Sequence, residues 1–163
     1  MASGIAHDKA TKLGSLIFGI LIGSFLGAKF GLLGAISFYL GGFYLSPDLD
    51  TESRPSKRWG LFKYLWLPYR KLIKHRSFLS HGPLIGTSLR IIYLFGIIVL
   101  CSIFLKKLGI SNISVSYDSL KNLISNNQKS IISILLGIEA SSWLHLLQDG
   151  DPLPVECKKK WRK

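Results

Sequence analysis

The fold is decided by residues 83–105, which read PLIGTSLRIIYLFGIIVLCSIFL and contain one charged side chain, Arg90. A membrane-spanning α-helix needs roughly 20 mostly apolar residues, so this stretch is long enough to cross a bilayer. Three further apolar runs occur elsewhere in the chain. We therefore predict an all-α integral membrane bundle of about four helices in a single domain, residues 1–163, with spans at about 9–28, 30–46, 83–105 and 129–148.

The first two runs need separate treatment. The first resembles a secretory signal, but the candidate cleavage site at residues 26–28 has Leu26 where a small residue is expected, and a second apolar run follows at once. We therefore interpret it as a retained span. The second run is short, which leaves two alternatives: a tilted or thinned span, or one arm of a re-entrant hairpin.

Small residues recur at every fourth position along the first two runs, at Ser15, Gly19, Gly23, Gly27 and Gly31. On one helix, this spacing produces a ridge of small residues that allows another helix to approach closely. The pattern predicts a packing face inside the bundle.

The positive charges are distributed unevenly between the predicted loops. The chain has 21 Lys+Arg, 9 Asp+Glu and a net charge of +12. With four spans, 15 basic residues lie on the side of the two termini, against 5 on the other side. Cytoplasmic loops carry the excess of Lys and Arg, so both termini are predicted to be cytoplasmic.

One loop segment, residues 59–74, mixes Trp and Tyr with Lys and Arg. Trp and Tyr favour the headgroup layer, and basic residues suit anionic lipid. We predict an interfacial cytoplasmic element, a short helix broken near Pro68, with membrane lipid as its partner. The alternative is a nucleic-acid patch, but the segment lies between two spans and only 18% of the chain is charged, so no nucleic-acid partner is expected.

All four histidines and several aspartates lie at the predicted cytoplasmic ends of the apolar runs. Cys101 and Cys157 are far apart, so neither a disulfide framework nor a cysteine-rich zinc site is indicated. Imidazole and carboxylate together suit Zn, Mn or Fe better than Ca or Mg. The sequence therefore predicts a site for one or two divalent metal ions, with seven candidate ligands: His7, Asp48, Asp50, His75, His81, His145 and Asp149.

Each of these signals has a simpler reading when taken alone. An interfacial histidine is commonly a hydrogen-bonded surface residue, and Asp48-x-Asp50 also suits a cap or turn. His145 and Asp149, four residues apart, share one face of a helix. The gathering of all four histidines on one side is what favours a metal site.

At these motifs the sequence resembles a family of uncharacterised bacterial membrane proteins classed as metal-binding. The matching stretches are Ser3-Gly4-x-x-His7-Asp8, Pro47-Asp48-Leu49-Asp50, Arg58-Trp59-Gly60, Trp66-x-Pro68-Tyr69-Arg70, His75-Arg76-Ser77-x-x-Ser80-His81-Gly82-Pro83 and His145-x-x-x-Asp149. The pattern is also similar, more distantly, to membrane-bound metal-dependent hydrolases, which have an early His, an Asp-x-Asp turn, a His-Arg-x-x-x-(Ser/Thr)-His segment and a final His-x-x-x-Asp. This second resemblance implies phosphoester chemistry.

Two functions remain open at this point. In the first, the chain is a metal-dependent hydrolase of a phosphoester or lipid headgroup at the cytoplasmic face, with Arg76 as a phosphate clamp; the alternative role for Arg76 is a positive-inside anchor. In the second, it is a non-catalytic metal-binding membrane protein: a sensor, scaffold or insertion factor. A transporter is disfavoured, because its ligands would lie near the bilayer midplane.

Two charges lie inside the apolar runs. Arg90 is seven residues after Pro83, and Glu139 is six residues before His145. At about 1.5 Å per residue, the two side chains lie at similar depth below the same surface. We therefore predict that Arg90 and Glu139 form an ion pair beneath the metal site.

Overall fold

Helices account for all the regular structure in residues 3–110 and 116–150, the part of the chain that the computed structural model describes. The eight α-helices are α1 (Gly4–Leu26), α2 (Ala28–Tyr44), α3 (Arg54–Lys57), α4 (Leu67–Leu72), α5 (Phe78–His81), α6 (Ile85–Lys107), α7 (Tyr117–Asn126) and α8 (Gln128–Gln148). Two 3₁₀ helices, Pro47–Asp50 and Gly60–Trp66, lie in the loop between α2 and α6. The prediction of an all-α fold is confirmed.

Within the described residues, four segments are long and apolar enough to cross a membrane: Gly4–Leu26, Ala28–Asp50, Ile85–Lys107 and Gln128–Gln148. The second is the short run of the sequence, and it reaches 23 residues only when the 3₁₀ helix is added to α2. The first begins at Gly4, earlier than predicted, because the Ser3 hydroxyl accepts a hydrogen bond from the N–H of Ala6 and caps the helix. His7 therefore lies on α1. Cys157 and the five basic residues of the tail lie outside the described residues.

Helices α1 and α2 form a hairpin whose close approach depends on glycine. Gly27 has φ of 101° and turns the chain between the two helices, so the ladder of small residues is split between them. A Cβ added at Gly31 would lie 2.5 Å from the carbonyl oxygen of Gly19 and 2.6 Å from Cα of Gly23. The predicted packing face exists, but it is divided between α1 and α2, and its two halves pack against each other within the hairpin.

Helix α8 packs against α2 through small residues as well. A Cβ at Gly41 would lie 2.5 Å from the Ser141 hydroxyl, and the Ser133 hydroxyl donates to the carbonyl of Phe30 over 2.6 Å. Large apolar side chains instead face outward along α1 and α6, including Phe25 and Ile98. The bundle thus has a small, polar interior and an apolar exterior.

The loop between α2 and α6 has its own small core of Leu49, Trp66 and Tyr69, all buried. The Arg70 guanidinium crosses this loop and donates to the carbonyl of Leu49 over 3.1 Å. Part of the predicted aromatic segment is therefore core, while other members, such as Phe62, are exposed. The predicted break near Pro68 corresponds to the point where the 3₁₀ helix ends at Trp66 and α4 begins at Leu67. The proline lies in the first turn of α4, where its missing N–H costs nothing.

Candidate metal centre

The seven predicted ligands come together where α1 begins and α2 and α8 end. The described part of the structure contains two groups of three residues, and within each group the candidate ligand atoms all lie within 4.8 Å of one another. We call the first, His7, His145 and Asp149, the first triad, and the second, Asp50, His75 and His81, the second triad. Residues from both ends of the chain and from the central loop therefore meet in one cluster.

The first triad joins α1 to the end of α8. The imidazole rings of His7 and His145 stack with centroids 4.1 Å apart. Asp149 places its two oxygens between them, Oδ1 3.2 Å from His7 Nε2 and Oδ2 3.5 Å from His145 Nε2. On its other side, His7 Nδ1 is 2.7 Å from Gln148 Oε1, which orients the ring and leaves Nε2 directed at the carboxylate.

The second triad is centred on Asp50, whose carboxylate is buried. Its Oδ1 is 2.8 Å from His75 Nδ1, and its Oδ2 is 3.5 Å from His81 Nδ1. The Ser80 hydroxyl donates to the same carboxylate. His75 precedes α5 and His81 ends it, so this single helical turn brings the two histidines of the motif to one carboxylate.

Asp48 lies between the two triads. Its Oδ1 is 3.5 Å from His145 Nε2 and 3.8 Å from His81 Nε2. The 3₁₀ helix Pro47–Asp50 accounts for this arrangement, because it separates Asp48 from Asp50 by less than one turn. Asp48 therefore faces His145 and Asp50 faces His75, while His81 lies near both carboxylates. One carboxylate oxygen thus faces a nitrogen ligand of each triad.

The donor set fits a divalent cation. His145 Nε2 is buried and has no hydrogen-bond partner, although it lies 3.5 Å from two carboxylates. A buried nitrogen without a partner costs free energy, and a metal ion bound among these oxygens would satisfy it. Burial lowers the pKa of His81 to about 4, so this imidazole is neutral at pH 7 and offers a lone pair.

Arg90 contacts the residues around the centre from the interior of the bundle, but it does not form the predicted ion pair. It is fully buried and donates to the Ser80 carbonyl, the Thr87 hydroxyl and the Ser142 hydroxyl over 3.1, 3.0 and 2.7 Å. Glu139 instead accepts the N–H of Leu84 over 2.9 Å, at the start of α6. The predicted Arg90–Glu139 ion pair is therefore wrong, because the Nη atoms of the arginine donate to hydroxyls and a backbone carbonyl, and the glutamate accepts a backbone N–H. Arg90 Nε is buried without a hydrogen-bond partner.

Arg76 follows His75 in the chain and has φ of 58°. It is partly exposed and interacts with other groups. Its position beside a candidate ligand is compatible with both roles considered for it, phosphate clamp and positive-inside anchor, and both stay predictions.

A cavity of about 230 Å³ opens beside the first triad, and we call it the triad cavity. It is bounded by the first turns of α1, the end of α2 and the start of α3, with these lining residues: Gly4, His7, Asp8, Gly42, Ser46, Asp48, Ser53, Arg54, Pro55 and His145. The sequence did not identify Ser46, Ser80, Gln148 or Arg54 as parts of the centre, because single polar residues in a loop or at a helix end carry no distinctive spacing.

Comparison with known proteins gives a family match over nearly the whole chain. The model of the family described as uncharacterized metal-binding protein (DUF2227) matches residues 2–161. An uncharacterized protein of Aquifex aeolicus (strain VF5) is 45% identical over 60 residues, which cover 36% of this chain and 42% of that relative. No solved structure matches. Neither description mentions a hydrolase, so hydrolysis stays a prediction, whereas the match over residues 2–161 shows that the chain belongs to the DUF2227 family of metal-binding proteins.

Proposed function

We propose that this chain is an integral membrane protein that binds divalent metal on its His/Asp cluster, at the cytoplasmic end of a four-span bundle. The observation that carries the proposal is the buried, unpartnered Nε2 of His145, which faces the carboxylates of Asp48 and Asp149. The family's metal-binding description supports a metal ion at this cluster.

The membrane location rests on the distribution of polar and apolar side chains. The interior of the bundle contains Ser and Thr, whereas large apolar side chains such as Ile20 and Phe25 are exposed. This arrangement is unfavourable in water but suits lipid, since helices in membranes associate through small residues. The positive-inside distribution of Lys and Arg favours the cytoplasmic side for the cluster.

The chemistry of the ligands favours Zn, Mn or Fe. Each triad combines two imidazoles with one carboxylate, a mixture of nitrogen and oxygen donors that is typical of these metals. With Asp48 between the triads, the set is large enough for two ions.

Hydrolysis of a phosphoester is the activity that this arrangement suits best. Closely spaced pairs of cations occur in phosphatases and nucleases. There they lower the pKa of a bound water, so that hydroxide is available for attack at neutral pH. Asp48 faces both triads, as a carboxylate shared by two ions would, and this observation favours catalysis over the alternative. The alternative is a non-catalytic sensor, scaffold or insertion factor that uses the same metal site.

The decisive experiment is the metal content of purified protein by elemental analysis. The wild type is expected to hold one or two ions per chain, and His145→Ala and His81→Ala are expected to lose bound metal while still inserting into membranes. Glu52→Gln is the matched control, because Glu52 lies in the same loop as Asp50 but its side chain is 85% exposed and belongs to neither triad. Full metal content in both histidine variants would refute the site.

A second measurement separates the two functions. Wild-type protein reloaded with metal is tested for hydrolysis of phosphomonoesters and phospholipids. Activity that disappears with the metal and with His81→Ala supports the hydrolase, and metal-loaded protein without activity on either class supports the non-catalytic alternative.

A further inference from the structure

The triad cavity has a basic wall that the metal cluster does not use. Arg54, at the start of α3, lines the cavity together with His145. Its side chain is 53% exposed, and its Nη2 lies 3.7 Å from Asp8 Oδ2. This contact is long and involves one nitrogen of the guanidinium, whereas a guanidinium has five N–H donors.

Asp8 is already neutralised by a different arginine. Arg58 Nη2 lies 2.5 Å from Asp8 Oδ2, and its Nη1 donates to the carbonyl of Phe43 over 3.2 Å. Because Arg58 holds the carboxylate, Arg54 is left with donors for another group. The acidic residue on this side of the cavity therefore does not exclude an anion.

The first turn of α1 lies close to Arg54. A Cβ at Gly4 would lie 2.6 Å from Cδ of Arg54, so a larger residue there would push this arginine side chain aside. The first N–H groups of a helix have no acceptor within it and favour anions. In α1, however, the hydroxyl and the carbonyl of Ser3 already accept the N–H groups of Ala6 and His7, so the positive charge for an anion comes from Arg54 and not from the helix end.

The nitrogen that supports the metal site also opens on this cavity. His145 is 7% exposed, its Nε2 has no hydrogen-bond partner, and it lines the same space as Arg54. The volume of about 230 Å³ is far above the roughly 10–15 Å³ that one water needs. A metal ion on His145 would therefore face a cavity that has room for a group of several atoms and that Arg54 also lines.

We propose that the triad cavity binds the tetrahedral oxyanion of a phosphate monoester, held between Arg54 and the metal bound by the first triad. This inference rests on the proposed function, because the metal supplies the second positive wall and offsets Asp48. Arg54 is a substrate-binding residue in this scheme, in addition to any contribution from Arg76. The phosphate belongs either to a lipid headgroup or to a soluble ester, since both present the same oxygens.

The test uses metal-loaded, full-length protein in nanodiscs of neutral phosphatidylcholine, with metal content measured for every sample. Inorganic phosphate is titrated by calorimetry, and nanodiscs that contain phosphatidic acid provide the lipid arm. Arg54→Gln is expected to weaken phosphate binding roughly tenfold or more, since it removes a charge-assisted contact, and Arg54→Lys is expected to restore part of the affinity. Lys57→Gln is the control, because Lys57 is exposed on the same short helix and does not line the cavity.

The outcomes are distinguishable. Loss of phosphate binding in Arg54→Gln at full metal content supports the cavity, and binding of phosphatidic acid alone identifies a lipid headgroup as the source. Equal affinity in Arg54→Gln and wild type, or no binding of either probe, overturns the cavity but not the metal site. Wild-type protein without bound metal overturns both.

Discussion

Arg90 and Ser80 connect the interior of the bundle to the metal centre. The Arg90 guanidinium donates to the backbone carbonyl of Ser80 over 3.1 Å, and the hydroxyl of the same serine donates to Asp50. A second donor of Arg90 reaches Ser142 on α8, one turn before His145. A single buried cation on α6 thus fixes the backbone beneath one triad and the helix that carries the other.

We expect Arg90→Ala to lower the free energy of unfolding by about 3 kcal/mol, because it leaves a buried carbonyl and two hydroxyls without their donor. Thermal unfolding in detergent measures the change. Lys107→Ala, at the exposed end of the same helix, is expected to be neutral. Metal affinity should fall in Arg90→Ala and recover in part in Arg90→Lys; unchanged stability and affinity would show that the arginine positions nothing.

The same geometry predicts only weak coupling between Arg90 and Glu139. Each side chain has its own hydrogen-bond partners, and the two charges attract each other without forming an ion pair. The effects of Arg90→Ala and Glu139→Ala on the free energy of unfolding should therefore depart from additivity in the double variant by less than about 1 kcal/mol. Larger coupling, or rescue by exchange of the two charges, would show that the two side chains are direct partners.

The sequence predicts the helices better than their contacts. Length and apolar content were enough to identify α6 and α8, because a span needs only a run of suitable residues. A common depth for Arg90 and Glu139 stays a prediction, and their pairing was inferred from charge alone. Ser80, Thr87 and Ser142 are better partners for Arg90, and nothing in the spacing of serines distinguishes these from others on the helices.

The sequence predicts which seven residues form the candidate site, but not their division into two triads. Co-location of His and Asp at one end follows from topology, which the sequence encodes in its apolar runs. Division into groups depends on the 3₁₀ helix Pro47–Asp50 and on the turn of α5, which direct neighbouring residues to different partners. These short elements have no hydrophobic periodicity, so the sequence could not assign Asp48 or Asp50 to a particular histidine.

The α1–α2 hairpin should not tolerate a side chain at Gly31. An added Cβ would meet the backbone of Gly19 and Gly23, which cannot move aside as a flexible side chain would. Gly31→Ala is expected to destabilise the protein by at least about 2 kcal/mol. Gly96→Ala on α6 is the matched control, because nothing lies within 4 Å of its Cβ position; equal thermal stability of the two variants would argue against the close approach.

The four-span arrangement predicts opposite accessibility for two loops. Ser56 is buried beneath Arg70, so exposed Lys57 is the better site for a label. In a cysteine-free background, Lys57→Cys should react with a membrane-impermeant maleimide only from the cytoplasmic side, and Asn126→Cys only from the opposite side. Labelling of both from one side would exclude four spans.

The position of Asp48 between the triads predicts how metal is lost when single carboxylates are removed. If each triad holds its own ion, Asp50→Asn should leave the ion at His7, His145 and Asp149, and Asp149→Asn should leave the ion of the second triad. Asp48→Asn should weaken both, since its Oδ1 faces both His145 and His81. Elemental analysis then gives one ion per chain for the first two variants and two for the wild type, with reduced occupancy at both triads for Asp48→Asn. A single ion in the wild type that is lost in all three variants would instead mean that the seven ligands form one mononuclear site, in which Asp48 is an ordinary ligand and no carboxylate is shared.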